Sequence, residues 1–131
     1  MHTNLKLLIA IAVSLSANMA NAKPVTITCG MIPLHDVIAK KFVIAFDDDK
    51  KSVELLEPKE NPSKRKSKFI KKRNKSSILV FHQDGIVNKS GQKANFQHRA
   101  EYDPATGDIV INSKPIGYSN GLVSYGKCRE S

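Results

Sequence analysis

Three groupings of histidine with carboxylate contain the residue types that fit catalysis or metal binding. Imidazole and carboxylate groups carry protons in general acid–base catalysis, and they also ligate metal ions. The groupings are His35 with Asp36, His82 with Asp84, and His98 with Glu101 or Asp103. None of them matches the spacing of a catalytic or metal-binding motif. The sequence therefore predicts no catalytic residue, no metal site and no other cofactor.

One alternative concerns His82 and His98, which would approach each other if their strands paired. Two imidazoles would then form part of a metal site, but the sequence offers no third ligand. Histidines that are half-buried in strands and hydrogen-bonded to their neighbours are the simpler interpretation. The run Asp47-Asp48-Asp49 suggests calcium, but it lacks the alternating spacing and the bidentate glutamate of a calcium loop. That run is predicted to be a turn.

The two cysteines, Cys29 and Cys128, predict one disulfide. An even cysteine count in an oxidising compartment favours pairing, and only one pairing exists here. Closing a loop of about 100 residues is worth about 4.7 kcal/mol in the chain-entropy model. A reactive cysteine would need a reduced thiol beside a base, and a zinc site would need ligands at closer spacing. The disulfide is the preferred interpretation.

The positive charge of the chain is concentrated in residues 59–75. The whole sequence has 21 basic and 12 acidic residues, a formal net charge of +9. The segment contains one acidic residue, Glu60, and nine basic ones. These are Lys59, Lys64, Arg65, Lys66, Lys68, Lys71, Lys72, Arg73 and Lys75. Outside it, residues 23–131 are neutral, with eleven basic and eleven acidic residues.

This basic segment is the candidate functional site. It follows Pro58, contains Pro62, and has only Phe69 and Ile70 as large apolar residues, so a mobile loop or a solvated strand pair is expected. Its predicted anion-binding residues are Lys64, Arg65, Lys66, Lys68, Lys71, Lys72, Arg73 and Lys75. The predicted partner is a polyanion: lipopolysaccharide, a nucleic acid or an acidic protein surface. The alternatives are a loop that only aids solubility and a nuclear-import cluster.

The first 22 residues have the organisation of an export signal. Lys6 precedes the apolar run of residues 7–15, and small residues follow up to Ala22. Ala20 and Ala22 provide the small-x-small pattern of a cleavage site, which places the cut before Lys23. The apolar run is too short to span a membrane, which takes about 20 residues. A single domain of residues 23–131, periplasmic or secreted and without a membrane anchor after cleavage, is expected.

The remaining chain alternates short β-rich runs with turn signals. The predicted strands are Val25–Cys29, Phe42–Phe46, Ser52–Leu56, Ser77–Phe81, Phe96–Tyr102, Asp108–Asn112 and Leu122–Cys128. Asp84-Gly85 is predicted to turn a hairpin, and Asp103–Gly107 another. No stretch holds a sustained helical period. The fold class is therefore all-β: an antiparallel barrel or sandwich of about seven or eight strands, closed by one disulfide between the first and last.

Short motifs connect the chain with small uncharacterised secreted or periplasmic bacterial β-barrel-like proteins that have one disulfide between their ends. The motifs are Thr-x-Thr-Cys at 26–29, Phe-x-Ile-x-Phe-Asp at 42–47, Tyr-Asp-x-x-Thr-Gly-x-Ile at 102–109 and Gly-Lys-Cys at 126–128. The chain resembles those proteins over most of the predicted mature domain. The resemblance implies a fold and a compartment, and no activity.

The chain is also similar in size and class to the periplasmic lysozyme inhibitors, which are small disulfide-bearing β-barrels. It has no tryptophan and no Ser-Gly-x-Lys/Arg-Tyr loop, and its basic segment would repel a basic lysozyme. The expected function is thus an exported, non-enzymatic protein that binds an anionic envelope, host or nucleic-acid partner. The alternatives are a periplasmic enzyme inhibitor and a purely structural envelope protein.

Overall fold

A computed structural model of the chain describes residues 24–32, 35–72 and 74–131. The predicted export signal, with Ala20, Ala22 and Lys23, lies outside the described residues, and so does Arg73. The strands are β1 Val25–Ile32, β2 Lys41–Asp47, β3 Ser52–Glu57, β4 Lys68–Lys71, β5 Ser77–Val87, β6 Lys93–Tyr102, β7 Asp108–Pro115 and β8 Leu122–Glu130. The described part of the chain contains no helix, so it has none of membrane-spanning length.

The eight strands form one antiparallel sheet that curls into a nearly closed barrel. Their order is β3-β2-β1-β8-β7-β6-β5-β4, so consecutive strands lie side by side except β3 and β4, which form the two edges, and the first strand pairs with the last. The prediction of an all-β antiparallel fold is confirmed. Of the two predicted architectures, barrel and sandwich, the structure is a barrel. Since β1 pairs with β8, the two ends of the domain lie side by side.

The predicted disulfide joins β1 to β8. Cys29 and Cys128 are directly opposed in the strand register, and their Cα atoms lie 4.0 Å apart. Both side chains face the interior, where Cys29 is fully buried and Cys128 is 9% exposed. The bridge spans 99 positions of sequence, so it ties the two ends of the domain together across one strand pair.

Alternation along the strands places the core inside the barrel. Phe96, His98, Ala100 and Tyr102 of β6 are all buried, and the residues between them are exposed, as the sequence predicts. Aromatic rings fill the interior: the Phe42 ring lies edge-on to Phe81 at 5.8 Å between centroids. A strand that is apolar on one face only is typical of an antiparallel sheet with one wet side.

The prediction that Asp84-Gly85 turns a hairpin is wrong. Strand β5 continues through these residues to Val87, with a bulge between Gln83 and Ile86, and the chain turns at residues 88–92 instead. Gly85 does have the positive φ, 66°, that the Asp-Gly pair suggests. A glycine with positive φ serves a β-bulge as well as a tight turn, and the choice depends on what pairs with the strand beyond it.

The barrel closes less regularly between β3 and the β4–β5 hairpin. The Ser67 hydroxyl donates to the carbonyl of Val53 at 2.6 Å and accepts from its N–H at 3.3 Å. At the bulge of β5, the carbonyl of Asn61 accepts a hydrogen bond from the N–H of Asp84, and the side-chain amide of Asn61 donates one to the carbonyl of Gly85. The segment before β4 thus satisfies backbone groups that β3 and β5 would otherwise leave unpaired.

Gly126 provides a test of the packing at the β1–β8 pair. A Cβ atom at this position would overlap the carbonyl oxygen of Gly30 and lie 2.6 Å from Met31 Sδ. We expect Gly126→Ala to lower the free energy of unfolding by about 1–3 kcal/mol, the usual cost of overpacking a core. Urea denaturation of the oxidised domain measures this change.

Gly30→Ala is the matched control, because nothing lies within 4 Å of a Cβ atom built there. We expect it to change the stability by no more than about 0.5 kcal/mol, as for most surface substitutions. Equal stability of the two variants would contradict the described packing of β1 against β8.

Candidate anion-binding surface

The basic segment of residues 59–75 is divided in the structure by a short strand. Residues 59–67 lie across the gap of the barrel, residues 68–71 form β4, and a turn leads into β5. The sequence predicted a mobile loop or a solvated strand pair here, and it did not predict that a residue of the segment would enter the core. Phe69 is only 5% exposed and stacks on Phe46 at 5.1 Å between ring centroids. One inward aromatic therefore anchors the middle of the segment to the barrel.

The cations of this segment point into solvent. All eight of its described basic residues are exposed. Arg65 lies 4.0 Å from a carboxylate oxygen of Asp84, and Lys72 lies 2.8 Å from one of Glu101. The other six have no carboxylate within 4.0 Å among the described residues; they are Lys59, Lys64, Lys66, Lys68, Lys71 and Lys75. Their charge is therefore available to an external anion.

Two cations from other strands extend this surface. Lys68 of β4, Val80 of β5 and Arg99 of β6 are paired in one row on the outer face of the barrel, so the Cα atoms of Lys68 and Arg99 are about 10 Å apart. Lys114 of β7 lies diagonally beside Arg99. We call the surface formed by Arg65, Lys68, Lys72, Arg99 and Lys114 the basic face.

Sequence reasoning missed Arg99 and Lys114, because both lie far from residues 59–75 in the chain. The only available signal was alternation: Arg99 falls on the polar side of its strand, opposite the predicted core residues Phe96, His98 and Ala100. Which cation of another strand lies beside it depends on strand register, and that is a property of the folded sheet.

Two carboxylates, Glu101 and Asp84, lie within the basic face. A hydrogen bond from Lys72 holds the pKa of Glu101 below its ordinary value, and the Ser76 hydroxyl and Arg99 act in the same direction. Both acids face cations of the surface at the distances given above. Five cations against two carboxylates leave the basic face with a net positive charge.

His82 and His98, which the sequence suggested would approach each other, lie on opposite sides of the sheet. His98 pairs with Phe81 and is fully buried, whereas His82 pairs with Gln97 and is half-buried on the outer side. Desolvation lowers the pKa of His82, and the charge of Arg65 lowers it further. The side chains of the described residues contain no group of three or more metal-ligating acids, cysteines or histidines. The strands do pair, but the two imidazoles point to opposite sides of the sheet and so do not come together as the two-imidazole alternative requires.

His98 belongs to the core and makes two hydrogen bonds there. Its Nδ1 lies 2.7 Å from the Ser113 hydroxyl, and its Nε2 lies 2.9 Å from Oε1 of Gln83. Since the Gln83 oxygen can only accept, Nε2 is assigned the proton, and Nδ1 accepts from Ser113. The sequence predicted a half-buried histidine bonded to its neighbours; the bonding is as expected, but the burial is complete.

The remaining chemistry-bearing residues hold turns and loops. Oδ1 of Asp47 accepts from the backbone N–H groups of Asp49 and Lys50, so the aspartate run forms the predicted turn. His35 lies on the loop between β1 and β2, and its Nε2 is 3.4 Å from the carbonyl oxygen of Val123 on β8. These contacts stabilise connections and bring no further acid–base pair into the basic face.

Comparisons of the chain with protein-family models, with curated proteins and with solved structures found no match. The arrangement of charged groups is therefore the basis on which function can be argued. It provides an exposed, positively charged surface that an extended anion can contact at several points.

The buried His98 predicts a specific loss of stability in acid. Burial lowers its pKa from 6.5 to about 4, with a smaller effect of His82. The unfolded chain therefore takes up a proton at a pH where the folded protein does not, so stability is complete above pH 6.5 and falls as the pH drops toward 4. The expected total loss from this group is about 3 kcal/mol.

Urea denaturation of the wild type, His98→Gln and His82→Gln between pH 7 and pH 4 tests this expectation. His98→Gln should show a flatter pH dependence than the wild type, and His82→Gln should keep most of the slope. An NMR titration of the His98 ring in the wild type gives the pKa even if His98→Gln does not fold. A His98 pKa near 6.5 in the folded protein would overturn the prediction.

Proposed function

We propose that the protein is exported and that its basic face binds a phosphate-rich polyanion without catalysing a reaction. The observation that carries this proposal is that Arg65, Lys68 and Lys72 are exposed on one face of the barrel, where the carboxylates beside them are those of Asp84 and Glu101. Arg99 and Lys114 enlarge this set on the adjoining strands. An unneutralised surface of this kind attracts polyanions and releases their counterions on binding.

Export is supported by two independent features. Residues 1–22 combine a basic start, a short apolar run and a small-x-small cleavage pattern before Lys23. The Cys29–Cys128 disulfide is the kind of bond that persists in the periplasm or outside the cell and is rare in reducing compartments. The proposed location is therefore periplasmic or secreted.

The contacts that the basic face can make favour phosphate groups over bases. Arg65 and Arg99 can each grip a phosphate with two parallel hydrogen bonds, while Lys68 and Lys114 act as point charges. Stacking on exposed aromatic rings is the usual means of holding single-stranded bases, but Phe69, the aromatic of the basic segment, is buried in the core. Binding is thus expected to depend on backbone charge and to be independent of sequence.

Binding without catalysis is supported by the state of His98. Both of its ring nitrogens are engaged by Ser113 and Gln83 inside the barrel, which leaves neither free to accept a proton from a substrate. His82, on the outer side, has two charged neighbours, Arg65, which disfavours the protonated ring, and Asp84, which favours it.

The variant Arg65→Gln/Lys68→Gln/Arg99→Gln/Lys114→Gln tests the proposal. The ligands are heparin, lipopolysaccharide and a short DNA duplex, each titrated at 50 and 200 mM salt. For about four phosphate contacts, the affinity of the wild type for the duplex should fall about 100-fold over this range. The variant should bind much more weakly at low salt and show a flatter salt dependence.

The matched control removes four exposed cations from elsewhere: Lys40→Gln/Lys50→Gln/Lys89→Gln/Arg129→Gln. It has the same net charge as the first variant, so it should keep most of the binding if the basic face is the site. Equal loss in both variants would mean that only the total charge matters. Unchanged binding by the first variant would refute the basic face as the site.

A further inference from the structure

The end of the barrel that holds the β5–β6 turn and the β7–β8 loop contains an open cavity of about 750 Å³. Its walls combine apolar and polar surface and come from strands, from the β5–β6 turn and from the β1–β2 and β7–β8 loops. The apolar lining residues are Val37, Ile86, Ala94, Phe96, Pro115 and Leu122. We call this cavity the barrel mouth. Its volume lies within the range of about 300–1,000 Å³ that is usual for small-molecule sites, and barrel mouths are a common place for them.

The walls of the barrel mouth are held in place by contacts that do not depend on a ligand. Phe96 is 4% exposed, and its ring stacks on His98 at 6.2 Å between centroids. The Ile116 N–H donates to the carbonyl of Asn95, which ties the β7–β8 loop to β6. Oδ1 of Asn88 accepts from the N–H groups of Ser90 and Gln92 within the β5–β6 turn. The cavity is therefore preformed.

The rim of the barrel mouth has polar groups that are free to meet a ligand. Tyr118 lines the cavity with 67% of its surface exposed, and among the described residues its hydroxyl has no hydrogen-bond partner. Lys93 also lines it and has no carboxylate within 4.0 Å in the described part of the chain. Asp36, an acid of the lining, accepts a hydrogen bond from the N–H of Lys89. The rim thus offers an ammonium and a phenol as donors, alongside the Asp36 carboxylate and the amides of Asn88 and Gln92.

We propose that the barrel mouth binds a small organic anion with an aromatic or aliphatic body. The body fills the apolar cavity against Phe96 and Leu122, and the acidic group lies at the rim beside Lys93 and Tyr118. This site is separate from the basic face, since none of the five cations of that face lines the cavity. Apolar walls for the body of a ligand, with polar groups that orient its acidic end, are the features such a site needs.

Two fluorescent probes that differ in charge test this site on the oxidised mature domain. One is the anionic 8-anilinonaphthalene-1-sulfonate, and the other is the neutral N-phenyl-1-naphthylamine. We expect both to bind one molecule per chain and to raise the unfolding temperature, because only the folded state has the cavity. Lys93→Gln should weaken the anionic probe about threefold to tenfold and leave the neutral one unchanged.

Ala94→Phe tests whether the probes occupy the cavity. Ala94 is half-buried on its lining, so a phenyl ring there would fill the space, and both probes should bind at least tenfold more weakly. Ala105→Phe, in the exposed β6–β7 turn at the other end of the barrel, makes the same change away from the site and should have no effect.

Several outcomes would overturn the barrel-mouth proposal. These are a lack of binding to the wild type, equal binding by Ala94→Phe, and equal loss of both probes in Lys93→Gln. If Ala94→Phe does not fold, NMR shifts in the wild type decide the question, because they should cluster at Ala94, Phe96 and Tyr118. The basic-face variant should still bind both probes. The proposals for the basic face and for the barrel mouth are therefore tested independently of each other.

Discussion

Strands β1 and β8 lie side by side, with Cys29 and Cys128 facing each other across the pair inside the barrel. This contact between the two ends of the domain turns a row of hairpins into a barrel. It puts β3 and β2 on one flank and β7 to β4 on the other, and so defines which faces are interior. Little room is left at the contact, because Gly126 packs directly against the backbone of Gly30. The core aromatics and both proposed sites depend on the same closure.

Closing the barrel at β1 and β8 moves its weak point to the far edges, β3 and β4. Hydrogen bonds of Ser67 to Val53 and of Asn61 to β5 fill that gap. The same stretch presents exposed lysines, which are a usual means of preventing a sheet edge from pairing with another molecule. The basic segment therefore combines a structural role, covering the edge, with the charge that the proposed polyanion binding requires. The two roles are compatible, since one uses backbone groups and the other uses side-chain cations.

The basic face and the apolar interior use different residues of the same strands. The cations of the basic face lie on the outer side and on the segment before β4, whereas the described part of the interior contains one imidazole, His98, held neutral by burial between Gln83 and Ser113. The barrel mouth continues the apolar interior to the surface, with the Phe96 ring stacked on that imidazole. The proposed polyanion site thus lies on one side of the sheet, and the proposed small-molecule site lies at the end of the barrel. A barrel can carry both because its outer face and its open end are formed by different residues of the same strands.

The sequence by itself determined the strand-rich class, the inward face of β6, the pairing of Cys29 with Cys128 and the position of the excess charge. These follow from alternation along one strand, from having only two cysteines and from composition, all of which are local or countable. Tertiary structure decided that Asp84-Gly85 forms a bulge, that Phe69 enters the core, that Arg99 and Lys114 share an outer face with Lys68, and that a cavity opens at one end. Each of these depends on which strands pair and in what register, because a shift of one residue would move every side chain to the opposite face.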